Sequence, residues 1–229
     1  MRNGSLRRGR DRDDEPTDFD GKTRLPRSRA RARAKKTQVI CWARRVASLT
    51  MPRYVAFLRG INLGKRRPAM SELRKLFEEL RFSQVETFIA SGNVIFSIDS
   101  TDTARLEREI ERRLEKSLGY RVDTFVRSRE EVVAIGGRKI FPDEKEPGIT
   151  VHVGFLHQQL ASDIARKLAA VRSRDDALRV IGREYYWLCR VRTSDSKIWS
   201  APELRALRLP TSSMRNLTSI RKLIAKHFA

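Results

Sequence analysis

Cysteine is nearly absent from this chain of 229 residues: Cys41 and Cys189 stand alone, with nothing around them that resembles a ligand set or a disulfide framework. A secreted protein of this size would more often carry paired cysteines, so the expectation is a reducing, cytoplasmic setting. Histidine is equally scarce, and His152, His157 and His227 are too scattered to make a zinc set, so no metal site and no cofactor are expected. The longest apolar runs, such as Val55 to Leu58, are far too short to cross a bilayer, which excludes a transmembrane helix and predicts no membrane partner. Aromatic residues make up only 7%, with Tyr185, Tyr186 and Trp187 in a row. They read as half-buried strand aromatics, with an RNA-stacking platform on an open sheet face as the functional rival.

What the chain has in excess is positive charge. Lysine and arginine number 49 against 28 acidic residues, a net of +21. Residues 1–50 hold 15 basic and 6 acidic side chains, and residues 51–229 hold 34 and 22, so the folded part is basic in its own right. A field of that sign attracts nucleic acid, anionic lipid or phosphorylated ligands. The competing explanation is an arginine-rich composition in which Arg simply fills solvated faces.

The first fifty residues have almost no apolar periodicity, only an acidic patch from Asp11 to Asp20 and an Arg/Ala/Ser stretch from Arg27 to Lys36. Such a segment buries too little surface to offset its ordering entropy and is expected to be a disordered basic extension. A start codon placed too far upstream is its simplest explanation, and a nucleic-acid-binding arm is the functional one. From Met51 onward the pattern changes to that of a single α+β domain, 51–229.

Tyr54 to Leu58 is a continuous apolar run, as in a central strand covered on both faces. After the loop Arg59 to Pro68, Met70, Leu73, Phe77 and Leu80 share one helical face. Val85 to Ala90 and Val94 to Ile98 flank Ser91-Gly92-Asn93, a hairpin signal. Leu106, Ile110, Leu114 and Leu118 mark the next helix, closed by Gly119. Residues 120–127 alternate as a strand, and Ser128 with Glu131 makes a capping box for a helix that stops at Gly136-Gly137. The order β-α-β-β-α-β is the ferredoxin-like arrangement. Residues 142–148 read as a linker, after which the scheme repeats in part. Ile149 to Leu156 is a strand, Leu160, Ile164, Leu168 and Val171 mark a helix, and a hairpin turns at Gly182-Arg183. Helices over about 201–207 and 214–228 finish the chain. The expectation is tandem ferredoxin-like half-repeats, about 51–141 and 149–229, with mostly antiparallel sheet.

Three separated runs carry a resemblance. Tyr54-Val55-Ala56-Phe57-Leu58-Arg59-Gly60-Ile61-Asn62-Leu63-Gly64, Phe88-Ile89-Ala90-Ser91-Gly92-Asn93-Val94-Ile95-Phe96 and Ser213-Met214-Arg215-Asn216 resemble, in order and spacing, motifs of the bacterial domain of unknown function 1697 family, and Ser196-Lys197 matches a further short motif. The chain departs from that family at Lys65, where a second glycine is usual, and at Leu217-Thr218-Ser219, where Trp-Asn-Thr is usual. The resemblance implies a ferredoxin-related α+β fold in a cytoplasmic bacterial protein, and it implies no reaction.

In a ferredoxin-like unit the end of the first strand and the hairpin between the second and third lie at one sheet edge. That puts Arg59, Gly60 and Asn62 beside Ser91, Gly92 and Asn93, with Arg215 and Asn216, at the start of the last helix, as candidates to join them. A glycine-bearing loop entering a helix, with Arg, Asn and Ser nearby, suits an anionic ligand. The structural alternative is that the asparagines satisfy turn backbone and the glycines permit positive φ. Gly60 to Arg66 is one residue short of a phosphate-binding P-loop and lacks its Ser/Thr. The Ser219-to-Lys222 spacing arises by chance on basic helices. The two readings carried forward are a binding module for an anionic ligand, either a phosphorylated small molecule or nucleic acid, and a small-molecule enzyme at the Arg59/Asn93 edge. No catalytic residue is named, and the oligomeric state is not specified.

Overall fold

The computed structural model describes residues 51–62, 68–89 and 92–228. The readings made for residues 1–50, for Ser91 and for the Lys65-Arg66-Arg67 loop fall outside them. Residues 51–228 form an α+β structure with two four-stranded antiparallel sheets and six α-helices among the described residues.

The first sheet contains β1 (Arg53–Arg59), β2 (Ser83–Phe88), β3 (Asn93–Ser97) and β4 (Asp123–Ser128) in the order β2-β3-β1-β4. Helix α1 (Met70–Glu78) joins β1 to β2, and α2 (Thr103–Leu118) joins β3 to β4. The second sheet contains β5 (Thr150–Phe155), β6 (Asp176–Ile181), β7 (Glu184–Cys189) and β8 (Ser213–Asn216) in the order β6-β7-β5-β8. Helix α4 (Ser162–Ala170) joins β5 to β6, and a 3-10 turn (Ile198–Ser200) with the short α5 (Pro202–Ala206) leads from β7 to β8. The remaining helices, α3 (Arg129–Gly137) and α6 (Leu217–His227), follow the last strand of each sheet.

Period-two alternation decides which residue serves which core. Val55 and Phe57 on β1 join Val153 and Phe155 on β5 in a central cluster with Val132 and Ile135 of α3 and Ile220 and Leu223 of α6. The Phe57 and Phe155 rings stack there at 4.0 Å, so the two sheets meet face to face. Tyr54, Ala56 and Leu58 point the other way, onto Leu73 and Phe77 of α1 and Leu106, Ile110 and Leu114 of α2. On the far face of the second sheet, Tyr185, Trp187 and Cys189 pack with Leu168, Ile198 and Leu204.

Local signals behave as their chemistry requires. Asp102 caps α2 by accepting from Arg105 N at 2.9 Å, and Gly119 ends it at φ +75°. Ser128 and Glu131 form the reciprocal capping box of α3. One expectation is corrected: residues 213–216 are a strand, not the first turn of a helix. They are a short, mostly polar segment, and β5 offers them an open edge, pairing Phe155 with Ser213 and Val153 with Arg215. The helix begins only at Leu217, where Asn216 Oδ1 accepts from Thr218 N at 2.7 Å.

Candidate functional site

At the C-terminal end of β1 the backbone turns beside the β2–β3 hairpin. Phe57 pairs with Asn93, and Leu58 N donates to Gly92 O at 2.8 Å. Gly92 sits at φ +73°, and a Cβ there would lie 2.7 Å from Ile61 Cγ2, so only glycine fits against the turn that follows β1. Asn93 is 2% exposed. Its Nδ2 donates to Phe88 O at 3.2 Å across the hairpin, and its Oδ1 accepts from Arg215 Nε at 2.7 Å.

Arg215 thus arrives at this edge from β8 of the second sheet. Its Nη2 donates to Leu58 O and its Nη1 to Met214 O, at 2.7 and 2.8 Å. Burial brings its guanidinium down to about 10, still charged at neutral pH. Asn93 and Arg215 therefore hold the fold together at this edge, and Asn216 caps α6.

Two adjoining depressions open next to this joint. The first, about 330 Å³, is lined by Leu58, Arg59, Gly60, Ile61, Asn62 and Ser212 to Arg215. The second, about 460 Å³, shares Arg59, Ser212 and Met214 with it and adds Tyr185, Trp199, Arg205 and the apolar Leu204, Leu209 and Pro210. Among the described residues no aspartate or glutamate lines either one. The Arg59 side chain is 53% exposed and leans on Asp123 at 3.4 Å, a long and weak pairing, while Arg121 holds the same carboxylate at 2.9 Å.

Two donors at these walls have no hydrogen-bond partner among the described residues, although both atoms are buried: Ser213 Oγ and Trp199 Nε1. Each unpaired buried donor costs about 1–3 kcal/mol. Tyr185 OH and Ser212 Oγ lie 2.8 Å apart at the junction of the two depressions. Burial pushes the Tyr185 hydroxyl up, and the nearby Arg59 charge draws it partly back. The Tyr185 ring lies against Gly154 of β5, where any Cβ would come within 2.0 Å of Tyr185 Cζ. Sequence reasoning reached Arg59, Gly60, Asn62 and Arg215 but missed Ser212, Ser213, Trp199 and Arg205 as lining residues, because the segment carrying the first two comes into place only when β8 docks on β5.

The other sequence candidates resolve differently. Tyr185, Tyr186 and Trp187 are all buried, so there is no open aromatic platform on this sheet. Their alternate faces are taken by the central core and by the outer helices. His152 stacks on Trp187 at 5.0 Å, and burial lowers its pKa. His157 lies over Phe125, its Nδ1 2.9 Å from Glu107 Oε2, and the hydrogen bond to Glu107 raises its pKa.

Ser196 donates to the buried Asp176 at 2.7 Å, as does Trp187 Nε1. This carboxylate tethers the 191–197 loop, and it forms part of the wall of a larger hollow of about 1110 Å³ with mixed charges. Among the described residues no cluster of His, Cys, Asp and Glu could hold a metal ion, and no helix is long and apolar enough to cross a membrane.

Comparison with known proteins agrees with this architecture. Residues 51–186 match the model of a family described as protein of unknown function (DUF1697). Among solved structures, the conserved bacterial protein SP0830 from Streptococcus pneumoniae is similar, with a TM-score of 0.61 and 21% identity over 78% of this chain and 99% of that one. At that identity the likeness is one of fold. No curated protein matches the chain.

Proposed function

From the premise that the chain belongs to the DUF1697 family of proteins of unknown function, we propose that residues 51–229 form a binding module for a small anionic ligand bearing a phosphate or similar group. The same reading takes each antiparallel sheet with its helices as a ferredoxin-like unit, whose shared strand order, β2-β3-β1-β4 and β6-β7-β5-β8, supports a tandem repeat. One observation carries the ligand class: the paired depressions beside Arg59 are lined by guanidinium groups and neutral donors, with no carboxylate among the described lining residues. A phosphate oxygen accepts charge-assisted hydrogen bonds from a guanidinium as exposed as that of Arg59.

Nucleic acid is the less favoured ligand. The strand aromatics are buried, and the depressions are of small-molecule size.

Calorimetric titration of the full chain with inorganic phosphate and pyrophosphate tests the proposal. Arg59→Glu is expected to weaken binding about tenfold or more, the loss of one charge-assisted contact. Arg166→Glu, the same charge change on the exposed face of α4, is expected to leave it within about twofold. Absence of binding, or equal loss in both variants, would overturn the assignment.

A further inference from the structure

We infer, resting on that reading, that the anionic group is a diphosphate, with one phosphate at Arg59 and the other at Arg205 in the second depression. Three arginines line the two depressions, and their partners sort them. Arg215 is committed to the joint, donating to Asn93 Oδ1 and to the carbonyls of Leu58 and Met214. Arg59 leans at 3.4 Å on Asp123, a carboxylate that Arg121 holds more closely. Arg205 is exposed, and among the described residues its guanidinium makes no ion pair and no hydrogen bond.

Arg59 and Arg205 both line the second depression, about 460 Å³, which no carboxylate of the described residues lines. Two like charges bordering one hollow repel each other, and an anion with a charge for each of them removes that repulsion. A single phosphate suits one guanidinium bidentately, whereas two linked phosphates offer each guanidinium its own oxygens. The rest of the polar lining is neutral. Thr211 and Ser212 add hydroxyls, and Ser212 Oγ lies 2.8 Å from Tyr185 OH. One hydrogen serves that bond, so the pair keeps a second one to donate. Inorganic pyrophosphate and an organic diphosphate ester present the same two phosphates, and the class is therefore the diphosphate group.

Calorimetry on the full chain at near-physiological salt, where distant charges are screened, separates this inference from the one beneath it. Inorganic phosphate, pyrophosphate and ADP serve as probes. Wild-type protein is expected to bind pyrophosphate roughly tenfold tighter than phosphate, from one further charge-assisted contact. Arg205→Gln should abolish that gain and leave phosphate affinity within about twofold. Arg208→Gln removes the same charge three residues on, at an exposed arginine that lines neither depression, and should keep the full gain. ADP should show the same dependence on Arg205. Affinity for it above that for pyrophosphate identifies an ester as the source of the group, and affinity below it identifies the free anion.

If pyrophosphate binds no tighter than phosphate, if Arg205→Gln keeps the gain, or if Arg208→Gln loses it equally, the inference fails while Arg59-dependent phosphate binding stands. If none of the three probes binds, both readings fall together.

Discussion

His157 and His152 show how one residue type acquires opposite roles from its surroundings. The Glu107 hydrogen bond raises the folded pKa of His157 above its ordinary 6.5. The stabilisation from that pair is therefore complete below pH 6.5 and is lost as pH rises through the raised value. Burial lowers the folded pKa of His152 below the same 6.5. Its neutral form is the one the fold accepts, so the protein loses stability as pH falls below 6.5. Thermal melts across pH 5 to 9 are expected to peak near neutrality for this reason. His157→Gln should flatten the alkaline side and cost about 0.5–1 kcal/mol at pH 6, the range for a partly exposed ion pair. An unchanged alkaline slope in that variant would remove His157 from the account.

At the scale of elements, capping and edge pairing decide where segments begin. The α3 box is closed on both sides: Glu131 N donates to Ser128 Oγ at 3.2 Å, and Ser128 N donates to Glu131 Oε2 at 2.8 Å. Arg183 from the β6–β7 turn reaches the other oxygen of Glu131 at 2.7 Å, so the cap of one helix is tied to the second sheet. Ser128→Ala is expected to destabilise by about 1 kcal/mol in denaturant titration, with the m-value unchanged. A change below a few tenths would mean that Glu131 and Arg183 hold the helix start without the serine.

The helical faces of α1 and α2, the β2–β3 hairpin and this capping box were all legible in residue order, because each depends on neighbours within about five positions. Strand β8 was not. Its four residues Ser-Met-Arg-Asn have no period-two apolar pattern, and their strand conformation comes from ladder bonds to a partner sixty residues away. The candidate edge was legible in the same partial way. Arg59, Gly60 and Asn62 follow directly from the end of β1, whereas the wall bearing Ser212, Ser213 and Trp199 belongs to segments that only folding brings there.

For the whole molecule, the large arginine content gains a structural explanation. Arg53 donates to His227 O, Arg129 to Phe228 O, and Arg221 to Gly136 O, each crossing between the segments 51–141 and 149–229. Arg215 crosses to Leu58 and Asn93. Arg127 goes deepest. It is completely buried, donating to Glu184 Oε1 and to Leu156 O at 2.7 Å each, with Glu107 3.9 Å away. A planar guanidinium with several donors suits this task, since one side chain satisfies a carboxylate and stray carbonyls together. Arg127→Ala is expected to cost about 3–5 kcal/mol by leaving Glu184 buried without its partner. Arg127→Ala/Glu184→Leu should recover part of that loss in equilibrium unfolding, because it removes the stranded charge. No recovery would mean that the carbonyl contacts dominate.

The three runs that carried the family resemblance also meet at this scale. Leu58 from the first, Gly92 and Asn93 from the second, and Arg215 from the third share one hydrogen-bonded joint between the sheets.

Residue order alone determined the α+β class, the positions of most elements, the basic character of 51–229 and the turn beside Arg59. Those properties are written in local periodicity, in capping chemistry and in simple counts of charge. Only the tertiary structure decided which arginines are spent on the joint and which face a hollow, because a guanidinium shows its role through partners distant in the chain. It also decided that the Tyr-Tyr-Trp run is buried on both faces. Burial on the second face requires outer helices whose docking no strand pattern can state.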